Sequence, residues 1–237
     1  MNSSSPILAT GYTPGLYAQC HCLTGPVWSQ WAKLHAYDFH PSPWPTTNRR
    51  GALLAKLPVI ASHLEPGRPC LWADVDALVV LASPDPAAEL PDDVHLAAIV
   101  LPAGRPRTGH VLTGLLYATP AALPILRHAI RIQASSQSPY VEQRALAAAL
   151  AGELTIPPIE PAPRPDLPVH ALSAAWCRGP ASHLHPSDPA YLWHASSAPH
   201  KRLAFLSTWL DQRRHLHPAG TPLPPSWCLP TLPTPAR

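Results

Sequence analysis

The sequence predicts an α/β protein in which helices cover a mostly parallel central sheet. The chain has 237 residues, of which 46% are hydrophobic, so it is long and apolar enough for one full α/β domain. Short apolar runs, typical of buried strands, alternate with longer segments whose apolar residues recur at helical spacing. This alternation is typical of strands joined by crossover helices, and it therefore favours a largely parallel sheet.

The first half of the chain is predicted to contain two strands, two loops and two helices. In chain order these elements are a strand over 7–10, a helix over 27–36, a loop over 41–45, a helix over 51–64, a strand over 70–81 and a surface loop over 82–94. We expect the second helix to be interrupted near Pro58, because proline removes a helical hydrogen bond.

The second half continues the alternation and ends in a proline-rich segment. Its predicted elements are strands over 95–101 and 111–117, helices over 121–134 and 141–150, a connector over 157–168, strands over 169–176 and 191–194, and a helix over 200–215. Gly114, inside an apolar strand, indicates a close approach of the backbone to another group. Residues 218–237 are predicted to be a loosely ordered tail.

Charge and segment composition exclude several classes of protein. The formal charge of +3 is small and scattered, so neither nucleic acid nor an anionic membrane surface is an expected partner. No segment approaches the roughly 20 apolar residues that span a bilayer, and the first residues lack the pattern of a secretory signal. These features predict a soluble cytoplasmic protein. No phosphate-binding loop or dinucleotide fingerprint occurs.

Five cysteines do not predict a disulfide framework in a chain of this length. Cys20-His21-Cys22 invites a zinc interpretation, but a second clear pair of ligands is missing. We therefore expect ordinary thiols there.

The acidic pair Asp74 and Asp76 is the strongest chemical signal in the chain. It lies within the apolar run 70–81, where alternation along a strand would point both carboxylates to the same side. An uncompensated buried carboxylate is costly, so the pair needs a partner. A hard divalent cation, Mg²⁺ or Mn²⁺, suits two aligned carboxylates, and such sites usually keep positions open for the phosphates of a nucleotide.

The order of these features resembles that of nucleotide-sugar-dependent glycosyltransferases of the GT-A fold, closest to families related to galactosyl- and mannosyltransferases. The resemblance covers residues 7–210 and is carried by a set of motifs in a fixed order: Ala9-Thr10, Lys56-Leu57-Pro58-Val59-Ile60, Leu71-Trp72-Ala73-Asp74-Val75-Asp76, Thr113-Gly114, Val141-Glu142-Gln143 and Trp193-His194 before a basic pair. It implies a Rossmann-like sandwich, with residues 1–217 forming a single domain ahead of the tail.

The resemblance also implies an activity: metal-dependent transfer of a sugar, a hexosyl group, from a nucleotide-diphosphate sugar to an unknown acceptor. It implies a metal, Mn²⁺ or Mg²⁺, held by Asp74, Asp76 and His194. It places the remaining candidate residues around the substrates: Ala9, Thr10 and Tyr12 at the nucleotide, Lys56, Lys201 and Arg202 at the diphosphate, and Thr113, Gly114, Glu142 and Gln143 on the sugar and acceptor side.

The sequence departs from the family pattern at two places. Glu142-Gln143 replaces the usual Asp-Gln pair, so the carboxylate is one methylene longer. Ser197 stands where the family has a glycine after the late histidine, and the basic residue comes one place later. Glu142 is a candidate catalytic carboxylate, with Asp166 as another candidate base.

Other interpretations of the same residues stay open. Asp-x-Asp after an apolar strand also occurs in haloacid-dehalogenase-like phosphatases, where the first Asp is a nucleophile, although there the motif lies near the start of the chain. A degenerate GT-A domain without catalytic activity is a further alternative. Lys56 is equally compatible with a stem lying along a helix face. Trp44 and Trp176, beside loops, are candidates for stacking on a sugar or a base.

Overall fold

Eight strands form two sheets in the part of the chain that the computed structural model describes, which comprises residues 5–46, 48–100, 111–138, 140–156, 169–176, 191–195 and 199–214. The strands are β1 (Ile7–Tyr12), β2 (Asp38–Pro43), β3 (Cys70–Ala73), β4 (Ala77–Val79), β5 (Leu96–Val100), β6 (Val111–Ala118), β7 (His170–Ala171) and β8 (Leu192–His194). Six of them form a sheet in the order β2-β1-β3-β6-β5-β7, and β4 pairs antiparallel with β8.

The large sheet is mostly parallel, as the sequence predicts. β1 runs parallel to β2 and β3, and β5 runs parallel to β7, whereas β6 runs antiparallel to its neighbours β3 and β5. The mixed α/β architecture thus confirms the predicted fold class, with β6 as the reversed strand.

Helices cover both faces of this sheet. They are α1 (Leu16–Leu34), α2 (Arg49–Leu64), α3 (Leu123–Ser135), α4 (Val141–Leu150) and α5 (Pro199–Arg214). Apolar residues of α2, α3 and α4 form one core with one face of the sheet, and those of α1 and α5 form a second core with the other face. Because α1 and α2, which follow β1 and β2, pack on opposite faces of the sheet, the carboxyl ends of β1 and β3 lie at the topological switch point, where open α/β sheets form their ligand-binding crevice.

The predicted interruption of the second helix at Pro58 is wrong, because α2 continues through this residue. Proline has no amide proton for the carbonyl four residues earlier, which belongs to Leu54. That carbonyl accepts a hydrogen bond from the side-chain amide of Gln133 on α3, at 3.0 Å. A neighbouring helix therefore supplies the donor that Pro58 lacks.

Helix α1 begins earlier than the predicted 27–36 and contains Pro26. Gly15, at the residue before the helix, has a positive φ of 81°, a conformation that glycine adopts readily. Gly25 within the helix leaves room for the ring of His21, since a Cβ at this position would lie 2.6 Å from a ring carbon. Gly25 thus allows the close packing of His21 within α1.

The predicted single strand over 70–81 is wrong in one respect that matters for the site. It divides into β3 and β4, and residues 74–76 form the turn between them, closed by a 3.0 Å hydrogen bond from the amide of Ala77 to the carbonyl of Asp74. The apolar pattern continues across the turn because both strands are buried on both sides, so periodicity gives no sign of the break.

Residues 41–43 belong to strand β2, whereas the sequence predicts a loop there. β2 is the last strand on its side of the described sheet, and proline is tolerated in edge strands. The amides of Asp38 and Trp44 donate to β1, to the carbonyls of Pro6 and Tyr12 at 2.9 and 2.8 Å.

The later elements are close to their predicted positions, with β7 shortened. Of the predicted strand 169–176, only His170 and Ala171 pair with β5, and residues 174–176 form a 3₁₀ turn. The connector 157–168 and the tail 218–237 lie outside the described residues. No helix in the described ranges is both long and apolar enough to cross a membrane.

Candidate functional site

The turn that carries the acidic pair is fixed from three sides. Two side chains one turn apart on α1, Thr24 and Trp28, donate hydrogen bonds to the carbonyls of Val75 and Ala77, both at 2.8 Å. The amide of Asp74 donates to the carbonyl of Gly114 on β6, at 2.8 Å. The amide of Ala195 donates to the carbonyl of Asp76 at 2.9 Å. The backbone positions of both carboxylates are therefore determined by α1, β6 and the residue after β8.

Asp74, Asp76 and His194 converge at the carboxyl end of β3. One possible ligand atom from each lies within 4.8 Å of the other two. The Nε2 atom of His194 is 3.2 Å from Oδ1 of Asp76 and 3.9 Å from Oδ2 of Asp74. The pairing of β4 with β8 causes this approach, because it sets His194 opposite Ala77, the residue after Asp76.

Gly114 provides the space in which this group assembles. A Cβ at this position would lie 3.1 Å from a ring carbon of His194 and 3.6 Å from Oδ2 of Asp74. The close approach that the sequence predicts at Gly114 is confirmed, and its partners are two members of the acidic–histidine group.

Each carboxylate uses one oxygen for a basic side chain and turns the other toward His194. Oδ1 of Asp74 accepts from Lys56 at 2.6 Å and from the indole of Trp72 at 2.8 Å. Oδ2 of Asp76 accepts from Arg202 at 3.0 Å. The remaining oxygens and the imidazole form a mixed oxygen–nitrogen donor set. The three ligand atoms lie within 4.8 Å of one another, and their donor types suit a divalent ion such as Mn²⁺ or Mg²⁺, so this group could hold one.

A second buried group of polar residues adjoins Asp74 on the α2 and α4 side. Lys56 donates to the carbonyl and hydroxyl oxygens of Thr113 at 3.3 and 3.2 Å, and its Nζ lies 3.8 Å from Oε1 of Glu142. The Glu142 side chain is only 1% exposed, and its Oε2 has no hydrogen-bond partner among the described residues. A buried carboxylate oxygen without a donor is rare in folded proteins and marks this position for a ligand or a proton.

The charges of the two groups shift one another's pKa values. Burial raises the pKa of Glu142, and the opposing charge of Lys56 does not reverse this. Burial alone would lower the pKa of Lys56, but Asp74 and Glu142 outweigh it and raise that pKa. Burial would likewise raise the pKa of Asp76, but His194, Arg202 and Lys56 lower it. The carboxylate of Asp76 is therefore held ionised, as a metal ligand has to be.

Most of the residues expected at the diphosphate and the sugar lie together around the acidic turn, and Lys201 is an exception. Arg202 reaches Asp76, whereas Lys201 is exposed on α5 and makes no described contact with the site. Lys56 is a fixed partner of Asp74 and Glu142, so the alternative of a stem lying along a helix face is wrong. Gln143 follows Glu142 on α4 and is partly buried.

The three residues expected at the nucleotide lie along β1. Ala9 and Thr10 are buried, and the Thr10 hydroxyl has no hydrogen-bond partner in the described chain. Tyr12 is at the end of the strand, where its ring stacks on His21 with centroids 4.3 Å apart.

Trp44 and Trp176, the candidates for stacking on a sugar or a base, pack within the protein instead. Trp44 is buried and stacked on Trp72, with ring centroids 5.9 Å apart. Trp176 is 1% exposed and contacts Tyr191 in the core. Cys20 is buried and Cys22 exposed, and Asp74, Asp76 and His194 form the one metal-binding group found among the described residues.

Four side chains at the site escape prediction from the sequence: Tyr17, Thr24, Trp28 and Trp72. Three of them belong to α1, and Tyr17 and Thr24 lie in the part that the sequence pattern assigns to no helix. Trp72 directly precedes the acidic turn, and an indole at this spacing reaches Asp74 two residues on.

Comparison with solved structures places this architecture among glycosyltransferases. A glycosyltransferase involved in the glycosylation of the major capsid of PBCV-1 is 14% identical with a TM-score of 0.62, over 86% of this chain and 100% of that one. The galactosyltransferase LgtC, in complex with donor and acceptor sugar analogues, is 12% identical with a TM-score of 0.51, over 93% and 98%. The bifunctional glycosyltransferase WbbM is 9% identical with a TM-score of 0.57; the match covers 84% of this chain and 46% of WbbM.

The chain therefore has the fold of GT-A glycosyltransferases. At these identities the likeness establishes the fold, and the activity has to be argued from the site. No protein-family model matches the sequence, and no curated protein matches it significantly.

Proposed function

We propose that this protein is a metal-dependent glycosyltransferase that moves a sugar, a hexosyl group, from a nucleotide-diphosphate sugar to an acceptor. The observation that carries the proposal is the convergence of Asp74, Asp76 and His194 at the carboxyl edge of a GT-A sheet. Two carboxylate oxygens and an imidazole suit Mn²⁺ or Mg²⁺, and the crevice beside them is where this kind of sheet binds nucleotides.

In this proposal, residues on one side of the acidic turn bind the metal and the nucleotide diphosphate, and residues on the other side contact the sugar and the acceptor. Asp74, Asp76 and His194 would hold the metal, which supplies positive charge to the diphosphate as the leaving group departs. Arg202, and Lys201 one residue before it, provide further positive charge at the diphosphate. Ala9, Thr10 and Tyr12, along β1, line the nucleotide.

The buried group on the other side of Asp74 would contact the sugar and the acceptor. It comprises Lys56, Thr113, Gly114, Glu142 and Gln143. The unpartnered Oε2 of Glu142 is available to accept a hydrogen bond from a sugar hydroxyl or to take a proton during transfer. Lys56 keeps Asp74 and Glu142 at fixed positions. The other candidate base, Asp166, lies outside the described residues.

Metal-dependent binding of nucleotides tests this function directly. Thermal stability is measured with nucleoside diphosphates and nucleotide sugars, in Mn²⁺ and in EDTA, for wild type, Asp76→Asn and the exposed control Asp93→Asn. A ligand at about a hundredfold excess over its Kd stabilises the folded state by ~2.7 kcal/mol. We expect a shift that needs Mn²⁺, persists in Asp93→Asn and is absent in Asp76→Asn. No shift with any nucleotide would contradict the proposal.

A domain without catalytic activity is the second candidate, and one observation favours it. Lys56 and Arg202 already balance the charges of Asp74 and Asp76, so the acidic turn is compatible with folding without an ion. Release of nucleoside diphosphate from a donor sugar distinguishes the two: binding without release identifies the non-catalytic domain. The phosphatase alternative finds no support in the fold, since the similar solved structures described above are glycosyltransferases.

A further inference from the structure

Arg202 links the acidic turn to the start of helix α1. Its NH1 atom lies 3.0 Å from Oδ2 of Asp76 and 2.7 Å from the hydroxyl of Tyr17. The guanidinium also lies over the Tyr17 ring, 5.2 Å from its centroid. Tyr17 is in the first turn of α1 and Arg202 is near the start of α5, so two helices jointly set the position of one cation beside Asp76.

The two basic partners of the acidic pair differ in exposure and in the charges that face them. Lys56 is 5% exposed and contacts two carboxylates, Asp74 and Glu142, as well as both oxygens of Thr113. Arg202 is 13% exposed and contacts the carboxylate of Asp76 and the hydroxyl of Tyr17. Lys56 is thus shared between two carboxylates, whereas Arg202 is the described basic partner of Asp76.

We propose that Arg202 is a resident counter-ion of Asp76: it opposes binding of a divalent metal while no nucleotide is bound, and it turns to the diphosphate when the donor binds. Metal and nucleoside diphosphate then bind cooperatively, and Tyr17 is the positioning residue that holds Arg202 on Asp76. This inference rests on the proposed function and assigns a means of regulation to the same site.

The charges explain the direction of the coupling. A guanidinium on one oxygen of Asp76 repels a divalent cation approaching the other oxygen, so it weakens metal binding. Two phosphates add negative charge beside the metal and offer the planar guanidinium a bidentate partner. Each ligand therefore removes an obstacle to the other, and by linkage the metal must raise the affinity for the diphosphate by the same factor.

Mn²⁺ titration of the full-length protein, followed calorimetrically without nucleotide, tests the first half of the inference. The variants are Arg202→Gln, which removes the cation, and Tyr17→Phe, which keeps the ring and removes the hydroxyl. Lys33→Gln is the matched control, because it makes the same charge change at an exposed position that has no role in the proposed site. We expect Mn²⁺ to bind Arg202→Gln about tenfold tighter than wild type, within the usual range of coupled sites. Tyr17→Phe should lie between them, and Lys33→Gln should equal wild type.

UDP and GDP, each titrated with and without Mn²⁺, test the second half. In wild type the metal should raise the affinity for whichever nucleotide binds, and this factor should be smaller in Arg202→Gln. If Arg202→Gln does not fold, as judged by circular dichroism, Tyr17→Phe provides the same comparison, since its hydroxyl contacts Arg202.

Two negative results are distinguishable. If Mn²⁺ binds wild type as tightly as it binds Arg202→Gln, or more tightly, the counter-ion role is overturned and the proposed function stands. No Mn²⁺ binding to any variant, with or without UDP or GDP, overturns the metal-dependent function and the inference with it.

Discussion

Gln133 on α3 donates a hydrogen bond to the carbonyl of Leu54 on α2, at 3.0 Å, and this carbonyl is the one that Pro58 leaves without a helical donor. Gln133 is 2% exposed, and its hydrogen bond to Leu54 is partly buried. The helix that carries Lys56 into the site is therefore continuous because a residue about 80 positions later completes its hydrogen bonds.

Replacing Gln133 by Leu should destabilise the protein by ~1 kcal/mol, because the partly buried carbonyl of Leu54 loses its donor. The measurement is urea unfolding of the single variants and of the double variant with Pro58→Ala. Alanine restores the amide at position 58, so the effect of Gln133→Leu should shrink in that background. Equal effects in both backgrounds would show that the two residues are not coupled.

Lys56→Met should be strongly destabilising at neutral pH. It leaves Asp74 and the 1% exposed Glu142 without their cation, and breaking a buried ion pair costs ~3–5 kcal/mol. Urea unfolding at pH 7 measures the loss, with exposed Lys33→Met as the control. The loss should diminish at acidic pH, because burial raises the pKa of Glu142 and its carboxylate takes up a proton there. A change as small as that of Lys33→Met would mean that Lys56 carries little of the charge balance.

Glu142→Gln should change how stability depends on pH. Burial raises the pKa of Glu142 above its ordinary value of 4.5, so the folded state binds this proton more tightly than the unfolded state does. The contribution to stability is complete below the unfolded pKa and is lost as pH rises through the folded pKa. Unfolding free energies from about pH 4 to 7 should thus fall more steeply in wild type than in Glu142→Gln. The exposed control Glu153→Gln should follow wild type; parallel curves for all three proteins would contradict the raised pKa.

Gly114→Ala should weaken Mn²⁺ binding by about tenfold, comparable to loss of a residue that orients metal ligands. The new methyl group would lie 3.1 Å from His194, so the imidazole has to shift by a few tenths of an ångström. Titration with Mn²⁺ measures the affinity, with His194→Ala setting the lower limit, and unfolding in EDTA reports stability separately. Unchanged affinity would indicate that His194 does not coordinate the ion.

The residue types of the site could be predicted from the sequence better than their arrangement. The pair Asp74 and Asp76 was identifiable from its apolar run, whereas His194 was identified only through the resemblance to GT-A glycosyltransferases. Their convergence depends on the pairing of β4 with β8, which joins residues more than a hundred positions apart, and no local pattern encodes that pairing. The turn at 74–76 was not predicted for a different, local reason: it contains neither glycine nor proline, the residues that most often mark a turn in a sequence.

The helix face on which Arg202 lies could have been predicted from the sequence of α5. Arg202 precedes the buried residues Leu206 and Trp209 by four and seven positions, so all three share one helix face, whereas Lys201 lies off that face. Tyr17 offered no comparable signal, because the glycine before it and the proline within α1 conceal the first turns of the helix.

The two prolines of β2 bear on how this protein meets other copies of itself. Amides alternate in direction along a strand, and those of Asp38 and Trp44 point inward to β1, so Pro41 and Pro43 fall at the outward positions. The outer rim of the sheet consequently lacks two of the N–H groups that an incoming strand needs. Pro41 and Pro43 thus give β2 a border that discourages edge-to-edge association, while its hydrogen bonds to β1 are kept.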